Sequence, residues 1–334
     1  MRAMILAAGF GTRLFPLTVD RTKPAIPFLG KPLVGYVAEY LSGFGFDEIV
    51  VNLHHQPKSV ESALGDGSDF GVRIHYTLEQ PSILGTAGAL WNAREFLQDD
   101  TFLVINGKII TDIDLAAALA MHKDSGALAT MVLKENFKHE KFTIINTEGG
   151  FVTGFGGFPE PFFEDEIPNS KSKIQNLPLM YTGIQILEPA VFDYIPPGVE
   201  SDIISVFYRP AMAHGEKIAA HIAGGYWHEL STIQRYLDIS LAVLNGENNG
   251  VSVGKNADIA LTANVRDSIL WDDVVIEPGA SVERSILADG VRVRAGETIK
   301  NAAIVRAELV RNAEIPPKAL MGRFENENYV VPLG

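Results

Sequence analysis

Through the first half of the chain, short unbroken apolar runs alternate with segments whose apolar residues recur every three or four positions. Residues 3–7 form one such run, which stops at a glycine-rich turn, the pattern of a strand buried on both faces of a parallel sheet. Pro32 then opens a helix that places Leu33, Val37, Tyr40 and Leu41 on one face. The same reading predicts strands over 48–53, 72–76, 102–105 and 128–133, with helices over 59–64, 87–97 and 115–122 between them. Strands separated by helices of this length imply βαβ crossovers, hence an α/β, Rossmann-like, mostly parallel sheet. Ligands of such sheets bind at the carboxyl ends of strands, so the loops after Ala7, Tyr76 and Ile105 are expected to face one site.

Between residues 134 and 180 the alternation gives way to a β-rich stretch dense in glycine and proline, whose acidic run Glu164, Asp165, Glu166 reads as a solvated loop. Helical signals return over 189–194, 203–214 and 232–244, and Gly246, Asn248, Asn249 and Gly250 then mark a boundary. The expected organisation is a first domain over 1–246, with an insertion at about 134–183, and a second over 251–334. The second domain repeats itself. Val265, Val282 and Ile299 are 17 residues apart, as are Ser268, Ser285 and Ala302, while Gly279 and Gly296 keep the same step. A fixed period means a solenoid whose coils bury their apolar faces on one another. Seventeen is one short of three hexapeptides, the register of a short left-handed parallel β-helix of three or four coils. Short solenoids stack subunits, so a homo-oligomer is expected, with a different partner chain as the alternative.

The chain has 334 residues and no cysteine, which excludes a disulfide framework, a thiolate metal site and a cysteine nucleophile. Its net charge of −13 argues against a general nucleic-acid binder. No apolar stretch is long enough for a membrane span or an export signal, and the expected setting is the cytoplasm. Against the overall acidity, residues 1–31 carry Arg2, Arg13, Arg21, Lys23 and Lys31 with the single acid Asp20. Such a local excess suits a small anionic ligand or an ordinary solvated face.

The candidate chemistry starts in that basic segment, with LAAGFGTRL from Leu6 to Leu14 and KPAIPFLGKP from Lys23 to Pro32. Gly9 and Gly11 let phosphate oxygens approach the backbone amides, and Arg13 and Lys23 can neutralise a triphosphate. The combined string resembles the signature of the sugar-1-phosphate nucleotidyltransferases, the NDP-sugar pyrophosphorylase family, and the resemblance runs along nearly the whole chain. It implies transfer of a nucleotidyl group from an NTP to a sugar 1-phosphate, giving NDP-sugar and pyrophosphate. It also implies that Leu6, Ala8, Gly9, Gly11 and Thr12 bind nucleotide. Arg13 would hold the leaving pyrophosphate, and Lys23 the α-phosphate or the sugar phosphate. EQPSILGTAGAL from Glu79 resembles the nucleobase loop, with Gln80, Gly85 and Thr86 against base and ribose; taken alone, Gly85 and Thr86 equally fit a helix start capped by Thr86. YTGIQILEP from Tyr181 resembles the sugar-contacting turn, so Thr182 and Gly183, together with Gly107, are the implied sugar residues. LGTAG and the solenoid make GTP with mannose 1-phosphate the first choice of substrates, with other pairs open.

The chain departs from the family pattern at three places. The family's strand-end GD, whose aspartate binds Mg²⁺, reads Gly107, Lys108. The second metal aspartate, in GYWxD, is Glu229 in GYWHELST, and FxEKP reads FGGFP, so that Gly157 and Phe158 replace an acid and a phosphate-binding lysine. Mg²⁺ is therefore expected to accompany the NTP, with Glu229 the one candidate ligand from the protein. An aspartate with Mg²⁺ sums to +1, as does a lysine ammonium, and Lys108 and Glu229 are expected to form an ion pair. Asp112 and Asp114 could hold a displaced metal or cap a helix; His54 and His55 are expected on opposite faces, and His228 at the rim. The alternative to an enzyme is a silent homologue that senses nucleotide sugar.

Overall fold

The computed structural model describes residues 1–160 and 177–334. The acidic run at 164–166 lies outside the described residues. Apart from a short hairpin that pairs Pro27–Phe28 with Lys31–Pro32, the described strands of the first domain are β1 (Arg2–Leu6), β2 (Glu48–Leu53), β3 (Arg73–Leu78), β4 (Phe102–Asn106), β5 (Ile109–Thr111), β6 (Ala129–Glu135), β7 (Ile145–Glu148), β8 (Phe151–Phe155), β9 (Leu179–Leu187), β10 (Ile218–Ile222) and β11 (Trp227–Glu229). Helices α1 (Leu33–Gly43), α2 (Pro57–Leu64), α3 (Gly85–Asn92), α4 (Arg94–Leu97), α5 (Leu115–Ser125), α6 (Arg209–Ala213) and α7 (Ile233–Leu244) connect and cover them.

Nine of these strands form one sheet in the order β3-β2-β1-β4-β9-β6-β10-β8-β7. It is parallel from β3 to β4 and again between β6 and β10, with β9 inserted antiparallel between β4 and β6. The inserted stretch is thus continuous with the main sheet: its β7–β8 hairpin, turned by Gly149 and Gly150, is an edge, and β9 lies in the middle. β1, with Ala3, Met4 and Ile5 fully buried, is covered on both faces, as its apolar run requires.

Three helix expectations change. The helix over 87–97 is two, divided at Ala93. The segment 189–194 is a 3₁₀ turn over Pro189–Asp193. The segment 203–214 begins as a π turn over Ile204–Tyr208 before α6. Pro210 has no amide to donate and its ring crowds the carbonyl four residues back, so the chain widens a turn ahead of it.

The second domain is the expected left-handed β-helix. Val265 pairs with Val282 and Val282 with Ile299, so one sequence repeat is one coil. Asp267, Arg284 and Asn301 turn the same corner of successive coils at φ 47°, 48° and 48°. Strand Asn328–Pro332 lies antiparallel on Ala302–Arg306 and closes the stack on that face. The coils do not stand apart from the first domain: Ile269, Trp271, Ile286 and Tyr329 share a buried cluster with Leu14, Phe15, Ile26, Phe28 and Tyr236.

Candidate active site

The loop after β1 is shaped by its neighbours. The Ala7 amide donates to Asn52 Oδ1 at 2.7 Å, and the Gly107 amide, just past β4, donates to the Leu6 carbonyl at 2.9 Å. Gly11 sits at φ 66°, and a Cβ there would stand 2.9 Å from Lys23 Cβ, so glycine lets the loop close on the Lys23 segment. Leu6, Ala7, Gly9, Gly11, Thr12, Arg13, Lys23, Pro24, Lys108 and Ser231 enclose a cavity of about 230 Å³.

The cavity is cationic. Arg13 is exposed and, like Lys23, forms no ion pair or hydrogen bond with another described side chain. Lys23 is 8% exposed. Burial, reinforced by Lys108, pushes its ammonium pKa down to about 7. Lys108 Nζ donates to Glu229 Oε1 at 2.9 Å, which is the ion pair expected from the sequence. Burial would raise the Glu229 carboxyl, but Lys108, Lys23 and Arg13 together hold it below its ordinary range.

The other implied site residues lie elsewhere. Ala8 is buried in the same loop. Gln80 is exposed, and Gly85 and Thr86 do not line the cavity. Thr86 is inside α3, whose N-cap is Leu84, so the capping expectation is corrected: its hydroxyl instead accepts the Ile203 amide at 2.9 Å. Thr182 is fully buried and its hydroxyl donates to the Val132 carbonyl at 2.7 Å. Gly183, at φ 82°, is forced by Asn106, whose Nδ2 would lie 2.0 Å from an added Cβ. His54 and His55 follow the end of β2 and both contact the Phe10 ring, so strand alternation does not separate them.

Sequence reasoning missed a buried relay behind the loops: Asn52 Nδ2 donates to Glu79 Oε1 at 2.6 Å, and Glu79 Oε2 accepts the Leu84 amide at 2.6 Å. Asn52, a polar residue closing the apolar run of β2, was the available signal. Also missed was Arg235, which donates to the Glu229 carbonyl at 3.1 Å and to Glu140 Oε2 at 2.5 Å. Arg235, Lys134, Lys138, Met180, Trp227 and His228 line a second cavity of about 370 Å³ beside Glu229, so His228 belongs to this cavity and does not line the one below the first loop.

This chain, whose strand-end glycine loop closes on the buried Lys23 and the exposed Arg13 and which carries the motif order described above, is matched by the nucleotidyl transferase profile over residues 2–246. The chain belongs to the nucleotidyl transferase family. Residues 243–328 match a second profile, the GlmU-like C-terminal hexapeptide. Relatives within the family include the UTP–glucose-1-phosphate uridylyltransferase of Synechocystis, 33% identical over 83% of this chain and 72% of its own. The N-acetylmuramate α-1-phosphate uridylyltransferase of Neisseria meningitidis is 35% identical over 70% of this chain and 95% of its own. The mannose-1-phosphate guanylyltransferase of Mycobacterium tuberculosis is 26% identical over 84% and 82%. In fold, a Bacillus anthracis structure described as a glucose-1-phosphate thymidylyltransferase superposes with TM-score 0.61 over 74% of this chain and 96% of its own, at 23% identity.

The Mg²⁺ implied at positions 108 and 229 does not fit the residues present. Mg²⁺ takes about six oxygens in near-octahedral array, whereas of the two positions only 229 carries a carboxylate, and it is engaged by Lys108. Asp112 Oδ1 accepts the Tyr226 amide at 2.6 Å, and Asp114 caps α5 by accepting the Ala116 and Ala117 amides. Among the described residues, no group of three or more Asp, Glu, His or Cys is placed to hold a metal.

Proposed function

We propose that the chain is a sugar-1-phosphate nucleotidyltransferase, with GTP and mannose 1-phosphate as its first-choice substrates. The observation that carries the reading is the buried ammonium of Lys23, which has no ion-pair or hydrogen-bond partner among the described side chains and faces a glycine-loop cavity that it shares with the likewise unpartnered guanidinium of Arg13. A desolvated cation without a counter-ion is costly unless an anion completes it. Arg13 receives the β- and γ-phosphates and Lys23 the α-phosphate, while the amides of the loop orient them. Mg²⁺, arriving with the nucleotide, would neutralise part of the triphosphate charge. The sugar 1-phosphate enters from the second cavity, whose lining mixes Lys134, Lys138 and Arg235 with Glu135, Glu140 and Asp238, polar groups suited to sugar hydroxyls, and where Trp227 offers a flat apolar face. The choice of mannose rests on LGTAG and the solenoid, and on a relative named as a mannose-1-phosphate guanylyltransferase that aligns with 84% of this chain.

A second reading is a regulatory homologue that binds NDP-sugar without turnover. One observation favours it: Phe158, 57% exposed, stands where the resemblance calls for a phosphate-binding lysine. Pyrophosphate release from each NTP with a panel of sugar 1-phosphates separates the two. The transferase reading expects turnover with at least one pair, and a loss of roughly 10- to 150-fold in NTP affinity for Arg13→Ala, the equivalent of about 1.5–3 kcal/mol for a charge-assisted contact. Tight NDP-sugar binding with no turnover for any pair would select the regulator.

A further inference from the structure

The two positions at which the family pattern calls for metal-binding carboxylates carry opposite charges in this chain and are spent on each other. Their meeting is built into the backbone. β5 pairs antiparallel with β11, with Ile109 opposite Glu229, and the Leu230 amide donates to the Lys108 carbonyl at 3.1 Å. Glu229 is 7% exposed, whereas the Lys108 side chain is 35% exposed. The carboxylate is therefore the buried anchor and the ammonium the end that reaches the phosphate cavity. Arg13 and Lys23 share that cavity, so its lining holds three basic side chains and, among the described residues, no carboxylate, with Glu229 reaching it only through Lys108. A divalent ion placed among them would be repelled, and Asp112 and Asp114, the acids that follow Lys108 in sequence, are committed to backbone amides.

We propose that Lys108 is the built-in cation of the transfer step, its ammonium aimed by Glu229 and standing in the electrostatic place of a protein-bound metal, so that the chain itself holds no divalent ion at positions 108 and 229. The proposal rests on the transferase reading. In that step an anionic oxygen of the sugar 1-phosphate bonds to the α-phosphorus, the bond from that phosphorus to the α,β-bridging oxygen breaks, and the electron pair departs with pyrophosphate. The attacking oxygen carries no proton to remove at neutral pH, so the wall has to supply positive charge where the α-phosphoryl oxygens gain negative charge. An ammonium does this by donating hydrogen bonds from one fixed point, and it cannot hold two phosphate oxygens in an octahedral array. Glu229 compensates by fixing its direction, which makes Glu229 a positioning residue.

Electron paramagnetic resonance of Mn²⁺ with the nucleotide-free full chain tests this without any need for turnover. The wild-type chain is expected to leave millimolar Mn²⁺ unbound, whereas Lys108→Asp gains a bound signal because a second carboxylate joins Glu229. Mn²⁺ bound by the wild type and released in Glu229→Gln overturns the proposal, as does the absence of binding in both wild type and Lys108→Asp. In turnover, Lys108→Met is expected to lower kcat by about 10²- to 10³-fold, the usual loss for one preorganised electrostatic donor, with a smaller change in KM for the NTP. Glu229→Gln should lower kcat at a nearly constant KM, with Glu229→Asp recovering part of it, a split that a purely structural role would not give. An unchanged kcat in Lys108→Met contradicts the proposal. If no substrate pair turns over in the wild type, the transferase reading fails and with it the catalytic role of Lys108, while the manganese comparison still decides whether the chain holds a divalent ion at positions 108 and 229.

Discussion

Lys23 is the residue whose charge state the cavity controls. Burial and Lys108 push its pKa down to about 7, with Arg13 and Arg235 adding to the fall and Glu229 opposing it. Because the folded value lies below the unfolded one, the unfolded chain binds more protons between about pH 7 and 10.5, and this group's contribution to stability rises with pH across that window. Binding runs the other way. A triphosphate favours the charged amine, so from pH 7.5 to 9, above the nucleotide's own last ionisation, binding takes up a proton and weakens by up to about tenfold per pH unit. Calorimetry in buffers of different ionisation enthalpy should record that uptake at pH 8 and lose it in Lys23→Arg, whose guanidinium stays charged. Affinity independent of pH over this range would contradict the assignment. Arg13 and Lys23 were legible in the sequence as a local basic excess beside a glycine-rich turn, and the Lys108–Glu229 pair because both positions depart from the metal-site pattern that the resemblance implies. Asn52, Glu79 and Arg235 were not, because each acts through a partner distant in sequence.

At the scale of elements, the solenoid owes its regularity to polar residues as much as to its apolar faces. Ser268 and Ser285 are fully buried and stand one above the other. The Ser268 hydroxyl accepts the Ser285 amide at 3.1 Å, and the Ser285 hydroxyl accepts the Ala302 amide at 3.2 Å while donating to the Glu283 carbonyl at 2.8 Å. Ser285→Ala orphans a buried amide and should cost about 1–3 kcal/mol, read as a lower urea midpoint with an unchanged slope. A cost near zero would mean that the serine column is idle. The coil register could be read from the chain alone because identical residue types recur at one spacing. The place of β9 could not: a strand that enters antiparallel between two others has no local signature, and its partners are fixed by sheet packing. The π turn ahead of α6 was hidden for the same reason, since Pro210 signals a break but not its form.

Taken as a whole molecule, the β-helix is a strut for the phosphate cavity. Arg21, two residues before Lys23, donates to Asp289 Oδ2 of the solenoid at 2.6 Å and to both carboxylate oxygens of Asp20, and its guanidinium lies 5.3 Å from the Trp271 ring centroid. Trp271 in turn donates to the Tyr236 hydroxyl at 2.9 Å, and Tyr236 donates to the Pro27 carbonyl at 2.5 Å. The Lys23 segment is thus pinned from the second domain. Arg21→Met and Asp289→Asn should each weaken NTP binding without touching nucleotide, and a double-mutant cycle in unfolding should return a coupling of about 0.5–3 kcal/mol. Additive effects would detach the solenoid from the site. The reverse reaction, in which the purified full chain meets an NDP-sugar and labelled pyrophosphate, tests nucleotidyl transfer most directly. Label appearing in NTP, and falling steeply in Lys108→Met, is the expected result. NDP-sugars that bind while no label ever enters NTP would contradict nucleotidyl transfer at this site.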